Sequence, residues 1–183
     1  MNVSDLGTIL GVWAHPDDEI WASGGIMAAA IVNGQKVACL TATKGGAGKT
    51  ASQKKWPQER LTRIRETEMR EALSIIGVHD LHWLGYEDGK LAVADKEQAV
   101  AKLVKVIDQL RPDTILTFEP QGITGHDDHK TICVWACAAA QAAMTSPVVY
   151  GACETTERYK KIGRYCDLLF DLYFKTDKPF MVP

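Results

Sequence analysis

Short apolar segments alternate with longer helical segments along most of this chain. Parallel strands need a crossover between them, usually a helix, so this alternation predicts an α/β fold with a doubly wound, mostly parallel sheet and helices on both faces. Each strand segment reads as a nearly continuous apolar run, which is typical of strands that are covered on both faces. About five strands are predicted, at residues 8–14, 36–43, 80–84, 114–118 and 148–152.

The helices are predicted at residues 20–32, from about 57 to 76, 95–110 and 128–144. Asp95 has the residue type of a good N-cap, and Gly77 suits a helix end. Residues 168–174 are apolar and aromatic, and their pattern leaves strand and helix both open. A length of 183 residues predicts a single domain over residues 1–183.

Composition excludes several classes of function. The apolar fraction of 46% and the charged fraction of 24% are ordinary for a globular protein, and a net charge of -2 predicts no nucleic-acid partner. The N-terminus lacks a secretory pattern, and no apolar run approaches the ~18–20 residues of a membrane helix, so we expect no membrane insertion. Five cysteines without disulfide-scaffold spacing predict a reducing, cytoplasmic compartment. Cys133 and Cys137, four apart on a helix, are expected to be reduced thiols.

Two polar clusters follow two of the predicted strands. Residues 14–19 read Ala-His-Pro-Asp-Asp-Glu and residues 125–129 read Gly-His-Asp-Asp-His. The carboxyl ends of strands in an open α/β sheet form the crevice where ligands bind. Acids in a first helical turn also complement the helix dipole, and one cluster alone would favour that reading. Adjacent carboxylates repel one another, however, and dipole capping leaves the histidines unexplained, so the two clusters together favour a metal site.

Two imidazoles and one carboxylate give a three-ligand site with an open position, the arrangement of hydrolytic zinc enzymes. Iron(II) uses the same ligand types, so both Zn²⁺ and Fe²⁺ stay open at this point. A metal ion would lower the pKa of a water in the open position to about 7. A nearby carboxylate would accept its proton, and a further histidine would stabilise an oxyanion.

The two clusters resemble the two signatures of the LmbE-like (PIG-L) family of zinc-dependent N-deacetylases, A-H-P-D-D-E and G-H-x-D-H. This resemblance, over about residues 7–145, implies a Rossmann-like fold and hydrolytic removal of an acetyl group from an N-acetylated amino sugar or related small molecule. It implies Asp17 as general base, and His126 as the residue that stabilises the tetrahedral intermediate, with Asp128 as its orienting partner. The metal ligands that it implies are His15, Asp18 and His129.

Weaker similarities concern substrate binding. Arg65 lies where the family often has R-x-x-E on a helix, with the arginine near the substrate; a surface ion pair is the alternative. Tyr86 and Asp88 lie in a segment that resembles the family's pocket-lining loop, although they could simply make a turn. Gly46 replaces an acid that many relatives carry, and the chain is shorter than many relatives beyond residue 145. Substrate specificity is therefore the property that the resemblance predicts least well. The default substrates of the family are N-acetylglucosaminyl conjugates.

Residues 44–50, Lys-Gly-Gly-Ala-Gly-Lys-Thr, resemble a deviant phosphate-binding loop, and a nucleotide hydrolase using Lys49 and Thr50 is the main alternative. The polar residues that follow, broken by Pro57, do not open an apolar-faced helix as such a loop requires. A non-catalytic metal or sugar binder is the third hypothesis. A homo-oligomer is possible. His79 and His82 flank the start of a strand, where a spacing of three sends side chains to opposite faces, so joint ligation there is not expected.

Overall fold

A computed structural model of the protein describes residues 2–48, 56–158, 160–161 and 181–182. Within these residues five strands form one sheet in the order β3-β2-β1-β4-β5, and every neighbouring pair is parallel. This confirms the predicted fold class. The strands are β1 (Ile9–Trp13), β2 (Val37–Thr43), β3 (Asp80–Tyr86), β4 (Thr114–Phe118) and β5 (Val148–Ala152).

Helices connect successive strands of this sheet. α1 packs on β1 and β2, whereas α3 and α5 pack on each other and α5 also covers β4. Right-handed crossovers place the helices before β3 and those after β3 on opposite faces of the sheet. The helices are α1 (Asp18–Val32), α2 (Gln58–Ile75), α3 (Lys96–Leu110), the short turn α4 (Gly122–Gly125), α5 (Asp127–Ala142) and α6 (Thr156–Arg158).

The C-terminal part contributes a second, small sheet in which β6 (Glu154–Thr155) pairs in parallel with β7 (Met181–Val182). Residues 168–174, whose conformation the sequence left open, lie outside the described residues. None of the helices described reaches the length and apolarity that a membrane crossing requires. That residues 1–183 form a single domain stays a prediction.

The core lies on both faces of the central strands. Every residue of β1, β2 and β4 is buried, which explains why their sequences are continuously apolar or small. Trp13 and Phe118 meet edge to face at the ends of β1 and β4, with ring centroids 5.0 Å apart. Burying side chains of this size contributes roughly 1.5–3 kcal/mol each. The rigid ends of β1 and β4 are therefore a firm base for the residues that follow them.

The strand order places a switch point between β1 and β4. The chain leaves β1 toward β2 on one side, and β4 continues toward β5 on the other. The crevice outside the carboxyl ends of such a strand pair is where open α/β sheets bind ligands. Both polar clusters of the sequence follow these two strands. The topology therefore brings the clusters to one place.

The N-cap predicted for α3 is present: the Asp95 side chain accepts a hydrogen bond from the backbone N–H of Gln98 at 3.0 Å. We expect Asp95→Ala to lower the free energy of unfolding by about 1 kcal/mol, because the N–H loses its acceptor. Urea unfolding measures this change. Asp95→Ser should recover most of it, and equal stability of all three proteins would contradict the capping role.

Candidate metal centre

The first cluster is held by the junction between β1 and α1. His15 follows the end of β1 by two residues, and Asp18 is the first residue of α1. The backbone N–H of His15 donates to Asp18 Oδ2 at 2.8 Å, which fixes the carboxylate beside the imidazole. Both side chains are about nine-tenths buried. A buried imidazole and carboxylate therefore sit together at the carboxyl end of β1.

The second cluster is held by the first turn of α5. The His129 ring stacks on Phe118 with centroids 4.0 Å apart and planes 6° from parallel. On its other edge, His129 Nδ1 lies 3.1 Å from the carbonyl oxygen of Gly122 and 3.3 Å from the Thr124 hydroxyl. Packing and hydrogen bonding together leave this ring one orientation. That orientation points His129 Nε2 toward the first cluster.

Three ligand atoms converge at the switch point. His15 Nδ1 lies 3.2 Å from His129 Nε2, and the two Asp18 oxygens lie 3.4 Å from these nitrogens, one each. A second group of possible ligands, which shares His15, contains His126 and Asp128. In both groups all the donor atoms lie within 4.8 Å of one another.

The hydrogen-bond pattern distinguishes these two groups. His129 Nδ1 faces the Gly122 carbonyl, which can only accept, so Nδ1 carries the proton and Nε2 presents a lone pair. His15 Nε2 faces carboxylate oxygens, so its lone pair lies on Nδ1. In the neutral forms of both rings, two lone pairs would face each other at 3.2 Å beside a carboxylate, so either a proton on His15 Nδ1 or a cation is needed between them. The donor set of His15, Asp18 and His129 therefore fits a divalent metal ion, with tautomers fixed by outer partners as in known metal sites.

Two further carboxylates surround His15. Asp88 Oδ1 and Asp128 Oδ2 each lie 3.1 Å from His15 Nε2. Burial alone would lower the pKa of His15, but Asp128, Asp18 and Asp88 together raise it well above its usual value. Burial lowers the pKa of His129, against the attraction of Asp18. In the metal-free protein these carboxylates therefore favour the protonated form of His15, and a bound cation would displace the proton on Nδ1.

The carboxylate of Asp128 makes contacts that the sequence did not predict. This carboxylate accepts from His15 and from the backbone N–H groups of Gly89 and Leu91 at 2.7 and 3.1 Å, so it orients His15. Its role as the orienting partner of His126 stays a prediction. What Asp128 gives to His126 is its backbone N–H, which donates to Nδ1 at 3.1 Å. His126 Nε2 therefore carries the proton. Its half-buried ring lies 4.9 Å from the rings of both His15 and His129.

Asp17 lies at the rim of the cluster in a left-handed backbone conformation, with φ of 96°. Its side chain is 76% exposed and accepts from Arg65 at 2.8 Å, while Arg65 also donates to the Pro16 carbonyl at 2.6 Å. Desolvation raises the pKa of Asp17, and the Arg65 charge opposes this rise. The structure thus brings Arg65 to the predicted base, as well as to the Gly45 carbonyl at 3.2 Å. Its proposed contact with substrate stays a prediction.

Of the two remaining predicted residues, Asp88 contacts the cluster, whereas the ring contacts described for Tyr86 lie elsewhere. Asp88 joins the cluster through His15 and also accepts from the backbone N–H of Ala47 at 2.8 Å, so it ties the glycine-rich loop to the site. Tyr86 has its described ring contacts elsewhere, with Trp135 at 5.2 Å and Lys102 at 4.5 Å. Its role in substrate binding stays a prediction.

The glycine-rich loop lacks the geometry of a phosphate site in its described part. Lys44 is bound by Glu66 of α2 at 2.5 Å, and the next helix described begins only at Gln58. Lys49 and Thr50 lie outside the described residues. His79 and His82 belong to neither candidate metal group found among the described residues. That they do not ligate a metal together stays a prediction.

The sequence interpretation assigned no function to two buried acids. Glu19 is fully buried beside Asp17, whose backbone N–H it accepts at 3.1 Å. Glu119 follows β4 directly and binds two backbone N–H groups of the next loop at 2.6 Å each. A charged residue placed immediately after a fully buried strand is the signal that identifies Glu119, since such a side chain requires partners.

Burial raises the pKa of Glu19 to about 8. Between its ordinary value of 4.5 and about 8, the folded metal-free protein therefore holds a proton that the unfolded chain has lost. This contribution to stability is full below pH 4.5 and is lost as the pH rises toward 8. Glu19→Gln should flatten this fall, whose limit for one proton is about 1.4 kcal/mol per pH unit.

Urea unfolding of chelator-treated protein at several pH values between about 5 and 8 tests this prediction. Glu97→Gln, which changes an exposed acid of α3, is the matched control and should keep the wild-type slope. A Glu19→Gln slope that equals the wild-type slope would show that Glu19 is already ionised in the folded protein.

Comparison of the sequence with known proteins identifies the family of this chain. The model of the family described as PIG-L, GlcNAc-PI de-N-acetylase, matches residues 10–140. The chain belongs to the PIG-L family. Over 142 residues it is 34% identical to a 1D-myo-inositol 2-acetamido-2-deoxy-alpha-D-glucopyranoside deacetylase of Catenulispora acidiphila, covering 66% of this chain and 44% of that protein. A probable N-acetyl-alpha-D-glucosaminyl L-malate deacetylase of Bacillus cereus is 28% identical over 85% of this chain and 71% of its own length.

Solved structures agree with this membership of the PIG-L family. The N,N'-diacetylchitobiose deacetylase of Pyrococcus horikoshii superimposes with a TM-score of 0.68 at 26% identity, covering 75% of this chain and 51% of that one. A 4-carboxy-2-hydroxymuconate hydratase of Pseudomonas putida shares the fold with a TM-score of 0.68 at 16% identity, covering 94% and 71%. This PIG-L chain spans about half the length of the Catenulispora and Pyrococcus proteins.

Proposed function

We propose that this protein is a metal-dependent hydrolase that removes the acetyl group from an N-acetylated amino sugar or a related small molecule. The observation that carries the proposal is the convergence of two oriented imidazoles and one carboxylate, with the ring of His126 beside both imidazoles. Its PIG-L relatives from Catenulispora, Bacillus and Pyrococcus, named as deacetylases of N-acetylated sugars, support the substrate class.

His15, Asp18 and His129 would hold the metal, for which zinc is the first choice by ligand type and iron(II) the second. When bound, a divalent ion supplies Lewis-acid activation of water and of an amide carbonyl. Asp88 and Asp128 hold the proton of His15 Nε2, and the Gly122 carbonyl holds that of His129 Nδ1. With a metal bound, these outer partners would leave His15 Nδ1 and His129 Nε2 as the ligand nitrogens and aim both at one point.

Asp17 accepts a proton from the attacking water, because its carboxylate lies at the rim of the cluster and is open to solvent. Arg65 holds one oxygen of this carboxylate and thus orients the other. The N–H of His126 Nε2 donates to the carbonyl oxygen as it gains negative charge. When the C–N bond breaks, the proton taken by Asp17 passes to the leaving nitrogen, and the products are acetate and a free amine.

The test combines elemental analysis with an assay of acetate release. Protein purified without an affinity tag should contain about one zinc or iron ion per chain, since the cluster offers one three-ligand site. It should release acetate from N-acetylglucosaminyl-inositol, N-acetylglucosaminyl-malate or N,N'-diacetylchitobiose. A protein that binds metal and releases no acetate from any of them would be a non-catalytic binder. Tight, magnesium-dependent ATP binding without a bound transition metal would support the nucleotide hydrolase instead.

A further inference from the structure

The loop between β4 and α5 adopts a strained backbone at the point where it supports His129. Ile123 has φ of 56° and ψ of -60° although its side chain is β-branched and buried. A left-handed φ at a β-branched residue is a genuine outlier, and such outliers persist only where their surroundings hold them. Something in this loop must therefore hold Ile123 in place.

Glu119 is the residue that holds it. Its Oε1 accepts the backbone N–H of Ile123 and its Oε2 accepts that of Gln121, each at 2.6 Å, so one carboxyl group spans the strained turn. The carbonyl of Glu119 also accepts the N–H of Gly122 at 2.8 Å. Glu119 is 4% exposed. Three hydrogen bonds from this single buried residue thus determine the path of residues 121–123.

Glu119 is itself fixed to the sheet. Its backbone N–H donates to the carbonyl of Ala152 at the end of β5. A Cβ added to Gly151 would lie 3.0 Å from Glu119 Cα, so the two strands approach closely there and a larger residue would press on the Glu119 backbone. We call Glu119, with its three hydrogen bonds to residues 121–123, the clamp. The clamp is therefore anchored on the ends of β4 and β5 rather than on the loop that it holds.

The loop that Glu119 holds, residues 121–123, contacts the ring of His129 through one carbonyl oxygen. The Gly122 carbonyl faces His129 Nδ1 at 3.1 Å. A Cβ at Gly122 would lie 2.8 Å from His129 Cβ, so the loop lies directly against this side chain. We propose that Glu119 is a positioning residue: it holds the strained turn so that the Gly122 carbonyl fixes the Nδ1–H tautomer of His129 and the direction of Nε2. This inference rests on the ligand role proposed for His129.

The test measures zinc affinity, by chelator competition, and the His129 tautomer, by nitrogen NMR of the imidazole. An amide keeps only one acceptor oxygen, so Glu119→Gln should weaken zinc binding by about tenfold, the scale of other outer-shell changes. It should also lower the Nδ1–H fraction of His129. Wild-type affinity and tautomer in Glu119→Gln would overturn the inference.

The matched control is Thr114→Val, at the other end of β4, which removes a buried hydrogen bond to the Leu6 carbonyl. This variant should lose stability and keep wild-type zinc affinity and tautomer. If Thr114→Val moves both readouts as far as Glu119→Gln does, the effect is general destabilisation and the inference fails.

The Glu119→Asp variant separates the effect of side-chain length at this position from the effect of its carboxylate charge. It keeps the carboxylate but is one methylene shorter, so it cannot span both N–H groups, and its zinc affinity should stay as weak as that of Glu119→Gln. Full recovery of affinity in Glu119→Asp would overturn the clamp. If the Glu119 variants do not fold, hydrogen exchange of the wild type decides: the amides of Gln121 and Ile123 should be protected, and exchange at unprotected rates would overturn the inference.

These outcomes separate the inference from the proposed function. A wild-type protein that binds no zinc or iron would refute the metal site itself. A wild-type protein that binds metal and releases acetate, with an unchanged Glu119→Gln variant, would refute the clamp alone. The tautomer of His129 can be read without any metal.

Discussion

Asp17→Asn should lower kcat for acetate release by about 10²–10⁴-fold, the usual contribution of a general base, while the protein keeps its metal. An amide of the same shape cannot take the proton from water. Asparagine also tolerates a left-handed backbone, so the φ of 96° at this position should survive the change. Asp17 belongs to neither candidate metal group found among the described residues, which is why the metal content should not change. Acetate release by zinc-loaded protein and elemental analysis measure the two quantities.

The matched control for this prediction is Asp127→Asn. Asp127 is an exposed acid in the second cluster and pairs only weakly with Lys130, at 3.3 Å. This variant should keep kcat within about twofold of wild type, as surface changes usually do. Near-full activity of a metal-loaded Asp17→Asn variant would assign the base to another residue.

The pH dependence gives a second measure of the same group. Asp17 must be ionised to accept a proton, so kcat should fall as the pH falls through the pKa of Asp17. Desolvation raises this pKa above its usual range, and Arg65 pulls it back. Arg65→Lys keeps the charge but loses the fork that binds the Pro16 carbonyl and Asp17 together, so it should weaken orientation more than it moves the pKa.

Local sequence signals predicted most of the fold. β4 and β5 begin and end at the predicted residues, and each begins within two residues of a proline. β3 runs two residues further than predicted, through Gly85 to Tyr86. Gly85 has φ of 77° and was read as the start of a turn. Pairing of Tyr86 with Thr43, across an irregularity in the register, extends the strand instead.

The residue types of the candidate site could be predicted from the sequence, but the contacts between their side chains could be predicted less well. Both clusters lie directly after buried strands, so their meeting followed from topology. Which carboxylate orients which imidazole did not, because the Asp128 to His15 contact joins residues 113 positions apart and depends on the angle between α5 and β1. The same limit applies to Asp88, whose contact with His15 the sequence did not predict. Its contact with substrate stays a prediction. Residue types mark a site, whereas its hydrogen bonds depend on packing.

His129→Ala should weaken zinc binding by at least about 100-fold, because it removes one of three ligands and changes in outer partners alone cost about 10–100-fold. The lone pair of His15 Nδ1 and the carboxylate of Asp18 would remain, and two ligands hold zinc poorly. Acetate release should fall in parallel. Chelator competition gives the affinity, and elemental analysis of the purified variant gives the occupancy.

The matched pair of His129→Ala and His126→Ala decides between the two candidate ligand groups. If His15, Asp18 and His129 hold the metal, His126→Ala should keep the metal and lose turnover, since the role proposed for its Nε2–H is to stabilise the developing oxyanion. If the group with His126 and Asp128 held it instead, the two variants would exchange their behaviour. That outcome is disfavoured because the Asp128 carboxylate already accepts hydrogen bonds from His15, Gly89 and Leu91. His79→Ala, at an exposed histidine outside both groups, should leave affinity and turnover unchanged.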